Sequence, residues 1–194
     1  MLSADNYIYT DYNGLIQKYT NLQNQYPNLI QNFDIGLSQS DNSPVKIFKM
    51  TNNNNNYNKK NLLFIGSVYA KDLVNANLLY NSVLDLLNSN NPELLNSLDN
   101  ATVWIIPTLN PDGYNFAFNQ NNLSFLGNTH DNNNNNTFNP DLDGVNLNAN
   151  FPFNWIHGLD LNAGNQFFRG NSPLSEKESF ALNNFLNNHL FISS

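Results

Sequence analysis

Tyr69 and Asp72, in Tyr69-Ala70-Lys71-Asp72, offer one phenol and one carboxylate. A metal centre that activates water needs three ligands drawn from His, Glu, Asp or Cys, with one position left open. The supply here is thin. The chain has no cysteine and three histidines, His130, His157 and His189, no two of them spaced i, i+3 or i, i+4. A phenol, which ordinarily ionises near pH 10, is a poor zinc ligand at neutral pH, and the single carboxylate of Asp72 does not complete a site. The residues therefore predict no catalytic set and no functional metal site. Each has a structural reading instead. Tyr69 packs beneath a loop, and Asp72, a favoured residue type at a helix start, is the N-cap of the helix that follows. His189 lies at a helix end, where the macrodipole favours a partly cationic ring. Arg169, the sole arginine, reads as a structural hydrogen-bonding residue.

The elements that must position these residues are readable from periodicity. Tyr12, Leu15, Ile16, Tyr19, Leu22 and Tyr26 recur at helical spacing until Pro27 stops them. Extended segments follow near residues 32–38 and 45–50. Residues 61–66 (NLLFIG) are continuously apolar, as in a strand buried on both faces. A helix is predicted over residues 73–87, and TVWIIP at residues 102–107 is a second apolar strand. Strand, helix and strand make a βαβ unit, whose parallel strands should present ligands at their carboxyl ends. Asn110-Pro111-Asp112-Gly113 reads as a turn, with Pro111 presetting φ and Gly113 tolerating positive φ. The aperiodic stretch from Phe116 to Asp143 reads as a long loop. Ser175-Glu176-Lys177-Glu178 has the capping-box pattern and should open a helix running to about Asn188. Leu190–Ile192 looks like the start of another strand.

Composition narrows the partners. Forty-five of 194 residues are asparagine, with five-residue runs at 52–56 and 132–136, so Asn-rich loops are expected at 51–60 and 128–140. A net charge of −7 with one arginine argues against nucleic acid, which is bound through clustered cations. No window approaches eighteen apolar residues, so no membrane span is expected. The N-terminal segment shows neither a basic n-region nor an apolar core, so no secretory signal is visible and the compartment is left open.

Three segments in order carry a resemblance: FIGSVYAKD at residues 64–72, LNPDGY at 109–114 and GVNLNANF at 144–151. Together they resemble the zinc metallocarboxypeptidases of the carboxypeptidase A/B type. The resemblance implies an α/β fold, with a mixed, mostly parallel sheet flanked by helices. It covers residues 1–194 as a partial domain, expected to be cut short by about its C-terminal third. The family's zinc-bound water removes C-terminal residues from peptides, with a glutamate as general base. Two of its three zinc ligands would fall at Tyr69 and Asp72, which replace a His and a Glu. Asp72 also carries a side chain one methylene shorter than the glutamate it replaces. The Asn-Arg pair that holds the peptide's carboxylate would fall at Asn148 and Ala149. A methyl group cannot replace a guanidinium fork. The remaining ligand and base would lie beyond Ser194. The expectation is thus a catalytically inactive family copy that binds no zinc. The alternatives are a non-enzymatic peptide- or protein-binding pseudoenzyme, or a gene fragment. Family members are often secreted.

Overall fold

The first helix forms where an apolar stripe meets a good cap. The Asp11 carboxylate accepts the Gly14 N–H at 2.8 Å, and helix α1 (Tyr12–Gln25) buries Tyr12, Leu15, Tyr19 and Leu22. The computed structural model describes residues 9–52, 59–89, 93, 96–155 and 162–189. The expected strand at Leu190–Ile192 lies outside them, as does His157. After α1 come strands β1 (Ile30–Leu37), β2 (Pro44–Met50) and β3 (Lys60–Ile65), then helix α2 (Leu73–Leu87) and strand β4 (Ala101–Ile106). Helices α3 (Pro111–Gln120) and α4 (Lys177–Asn187) complete the regular elements used below.

The four strands lie in the order β1-β2-β4-β3. This corrects the expected mostly parallel sheet. Only β3 and β4 run parallel, while β1–β2 and β2–β4 are antiparallel. The reason is connection length. Six residues between β1 and β2 can only turn the chain back, whereas β3 and β4 are linked through α2, the crossover that parallel strands require. The sheet is mixed, and the α/β, carboxypeptidase-like arrangement otherwise stands.

Two further expectations change. Residues 61–66 do not form a strand buried on both faces: β3 is the edge of the described sheet, with Leu62 38% and Phe64 48% exposed. An apolar run gives burial potential but not position in the sheet. The second correction concerns Asn110–Gly113, which is a helix start rather than a free-standing turn. Asn110 caps α3 by accepting the Gly113 N–H at 3.0 Å, and Pro111 takes the first helical position, where its missing N–H costs nothing. The residues that suit a turn also suit a first helical turn, so part of the predicted loop is helix.

Both faces of the sheet are covered. On one, α1 and α2 pack Tyr19, Leu22, Val83 and Leu87 over Phe48, Met50 and Ile105, with Tyr19 and Phe48 stacked at 5.0 Å. On the other, Leu182 and Phe185 of α4 cover Val45, Ile47, Trp104 and Ile106, and Phe185 meets Trp104 edge-on at 5.1 Å. Burying one such aromatic stabilises the fold by roughly 1.5–3 kcal/mol. The sheet is thereby a rigid platform, and its carboxyl ends at Ile65 and Ile106 open toward one set of loops.

Candidate functional site

The loops leaving β3 and β4 are locked together before they diverge. The Gly66 N–H bonds the Ile106 carbonyl at 2.9 Å, and the Leu109 N–H bonds the Ser67 carbonyl at 2.8 Å. A Cβ on Gly66 would sit 2.4 Å from the Pro107 carbonyl oxygen and 2.9 Å from the Ala76 backbone, so only glycine allows this approach. Asn110 ties in a third loop, donating its side-chain amide to the carbonyls of Val68 (3.3 Å) and Gly127 (2.9 Å). The Ala70 and Lys71 N–H groups in turn bond the Leu126 and Phe125 carbonyls at 3.2 and 3.1 Å. Residues 66–72 are therefore walled on one side by the 121–144 connection.

A second polar node faces the first. Asn128 receives the Val145 N–H on its side-chain oxygen at 2.9 Å and donates to Glu176 at 2.8 Å. Asn150 is wholly buried. Its amide reaches the Arg169 carbonyl, the Ser172 carbonyl and Ser175 Oγ, while its oxygen accepts from the Glu176 N–H and Ser179 Oγ. Between these nodes, Asn146 accepts the Asn148 N–H at 3.1 Å and shapes the short 3₁₀ turn Leu147–Ala149.

That turn delivers Asn148 to Tyr69. The Asn148 side-chain amide donates to the Tyr69 phenol oxygen at 3.1 Å, at an exposed position 79 residues away in sequence. Asp72 occupies the N-cap of α2, but its side chain makes no capping bond; its carbonyl instead accepts the Asn75 and Ala76 N–H groups. Ala149 presents a half-buried methyl. The two described histidines are engaged elsewhere. His130 Nδ1 lies 2.9 Å from Glu176 Oε2, and His189 stacks on Phe185 at 4.3 Å with Nδ1 2.9 Å from the Phe185 carbonyl. Arg169 is 6% exposed; it bonds the Trp155 carbonyl and lies 3.9 Å over the Trp155 ring.

The acidic groups of residues 112 and 175–178 have roles that their sequence pattern does not reveal. Ser175-Glu176-Lys177-Glu178 does not form a capping box. Glu176 itself is the N-cap and makes no side-chain cap, and Ser175 Oγ donates to Glu176 Oε1. Glu178 turns away to accept the Gln39 N–H at 3.0 Å. Asp112 accepts Ser38 Oγ at 2.6 Å and the Ser40 and Asp41 N–H groups at 2.9 and 3.2 Å, holding the β1–β2 loop. Burial pushes Glu178 up to about 8, against the bond from Gln39 and with the charges of Glu176 and Asp112 adding to the rise. His130 is raised chiefly by its hydrogen bond to Glu176, with burial opposing. Burial, and then the charge of Asp112, raises Asp41. Only the paired acids in the 175–178 segment hinted at this cluster, and they fit a helix cap equally well.

The segments that meet here match a known family across residues 15–194: Zinc carboxypeptidase. The chain belongs to the zinc carboxypeptidase family. It is 26% identical over 187 residues to human mast cell carboxypeptidase A, covering 94% of this chain and 42% of that protein. Against human carboxypeptidase D it is 23% identical over 141 residues, 71% of this chain and 9% of that one. Carboxypeptidase A from Helicoverpa armigera superposes with a TM-score of 0.80 at 21% identity, covering 93% and 42% of the two chains. The chain thus spans about two fifths of the length of these carboxypeptidase A relatives.

The family's zinc does not fit the residues present. Of the two side chains the resemblance implies for that role, Tyr69 offers a phenol already bonded to an amide, and Asp72 offers one carboxylate. Among the described residues no three His, Cys, Asp or Glu side chains converge as a metal-binding group. Among those same residues, no helix is long and apolar enough to cross a membrane.

Proposed function

We propose that this chain is a non-hydrolytic member of the zinc carboxypeptidase family, keeping the scaffold and lacking the reaction. The hydrogen bond between Tyr69 and Asn148 carries this reading. It joins the two positions where the family resemblance puts a metal ligand and a substrate contact, and makes of them a neutral phenol–amide pair. A phenol bonded in this way offers no lone pair as basic as an imidazole, and Ala149 offers no charge to a peptide carboxylate. Peptide hydrolysis needs a polarised carbonyl and an activated water, and no group at these positions supplies either.

The exposure of Asn148 favours a second role at the same place. Its amide is exposed beside Tyr69, where it can donate to the free carboxyl end of a peptide. One neutral donor gives weak affinity next to a bidentate arginine. The experiment is incubation of the chain with an N-blocked dipeptide in the presence of added zinc, alongside a binding titration of the same peptide. We expect no released C-terminal residue, and weak binding that is lost when the peptide is C-terminally amidated. Turnover that rises with zinc would overturn the reading. Equal binding of the free-acid and amidated peptides would remove the carboxylate-binding role alone.

A further inference from the structure

Four titratable side chains from three segments lie within electrostatic reach of one another, three of them almost wholly buried. His130, in the 121–144 connection, puts Nδ1 2.9 Å from Glu176 Oε2; its side chain is 26% exposed and that of Glu176 1%. Asn128 donates to the same oxygen at 2.8 Å. Two residues further on, Glu178 is wholly buried: Oε1 accepts the Gln39 N–H, while Oε2 has no partner. From α3, Asp112 closes the group, 2% exposed and engaged with the β1–β2 loop. The other charges around it are Asp131 beside His130, Asp41 beside Asp112, and Lys177, which is turned outward to the Gln39 carbonyl and Asn42.

We propose that this cluster is a proton-operated clasp, holding residues 128–130 against the start of α4 while protonated and releasing them when its protons leave. The contact between His130 and Glu176 is an ion pair only while the imidazole carries its proton. Glu178 sits among carboxylates with an unsatisfied oxygen in a place that cannot solvate a charge, so it too is stable there only as the neutral acid. Burial holds its proton up to about pH 8, and the bond to Glu176 raises that of His130. The two protons therefore depart in one direction of pH change. The loss turns a cation neutral and a neutral acid into an anion, lowering the local charge by two beside Glu176 and Asp112.

Release would be felt beside Tyr69. The connection that His130 clasps is the one whose Phe125 and Leu126 carbonyls hold the Lys71 and Ala70 N–H groups next to it. Loosening it on mild alkalinisation frees residues 70–71 from that connection without unfolding the sheet. This inference does not depend on whether the chain hydrolyses or binds peptides.

The test is amide hydrogen exchange of the whole chain from pH 6 to pH 9, corrected for intrinsic rates, comparing peptides from 121–144 with peptides from β4. We expect protection in 121–144 to fall by about tenfold or more across that range while β4 keeps its own. Glu178→Gln, which keeps an acceptor for Gln39 and cannot ionise, should remove the alkaline part of the fall. His130→Gln should lower protection at pH 6 and flatten the rest. A wild-type profile that is flat, or that falls equally in β4, overturns the clasp even if neither variant folds. So does a fall that both folded variants retain.

Discussion

Asn150 and Asn148 are two residues apart, and they lead opposite lives. Asn150 is wholly buried, and its side chain engages five partners within residues 169–179. Asn148 is exposed, and its side chain holds one bond, to Tyr69. The contrast extends to the neighbouring motifs: Asn110, Asp112 and Asn128 are buried and multiply bonded, whereas Tyr69, Asp72 and Ala149 are only half-buried. Segments that resemble a peptidase are here the polar framework that fixes loops onto a sheet. A buried asparagine cannot be exchanged without orphaning its partners, while an exposed ligand position can be refilled at little cost to the fold. The scaffold and the chemistry of a family are thus held by different forces and can part company.

The contrast can be broken most forcefully at Asn150. Asn150→Ala takes the side-chain partner from two carbonyls and one N–H and one bond from each of two hydroxyls, and should cost about 3–5 kcal/mol, visible as a large fall in the urea midpoint with little change in slope. An effect below about 1 kcal/mol would mean that water replaces those contacts and that the framework reading is wrong. Gly113→Ala should follow, at about 2–3 kcal/mol, because the new methyl would lie 2.4 Å from the Gly127 carbonyl oxygen and 2.5 Å from Asn110. A purely conformational position would instead gain from losing a glycine. Thermal melts separate the two.

Next in size is the pH dependence. Glu178 and His130 are both raised in the folded state, from ordinary values of 4.5 and 6.5. A group raised on folding contributes stability that is fully present below its unfolded value and lost as pH rises through its folded value. Glu178 therefore stabilises below pH 4.5 and loses that contribution by about pH 8, while His130 loses its share above 6.5. Denaturant midpoints should be higher at pH 5.5 than at pH 8.5, a span of about three units chosen to bracket both groups. Glu178→Gln should flatten most of the difference.

The smallest effect is expected at the cleft. Tyr69→Phe and Asn148→Ala each remove one half of an exposed hydrogen bond, and each should change stability by less than about 0.5 kcal/mol. A loss of more than about 2 kcal/mol in either would make the pair part of the framework rather than a vacated site.

Much of the fold was legible because periodicity and capping residues act locally. The spacing of Leu79, Val83, Leu86 and Leu87 predicts a helix from about Leu73 to Leu87, the span α2 takes, with Val83 and Leu87 buried. What was not legible depended on distant partners. Nothing in NLLFIG says whether β4 flanks it on one side or strands flank it on both, and in the described sheet it is an edge strand. Six-residue reversal between β1 and β2 outweighed the parallel βαβ unit in setting the sheet's character. At the site, the substitutions at Tyr69, Asp72 and Ala149 were visible as residue types, but the bond that joins Tyr69 to Asn148 spans 79 positions and needed the folded chain. Glu176 and Glu178 fit a capping box by spacing; tertiary contacts with His130 and Gln39 claimed them instead.

The central claim is that the family framework here no longer holds the family's metal. The most direct measurement is a calorimetric titration of zinc into the metal-stripped, folded chain, with the bound metal counted by elemental analysis after dialysis. The account predicts only weak uptake that is lost on dialysis and is unchanged in Tyr69→Phe. About one zinc retained per chain, with affinity that drops in Asp72→Asn, would contradict it.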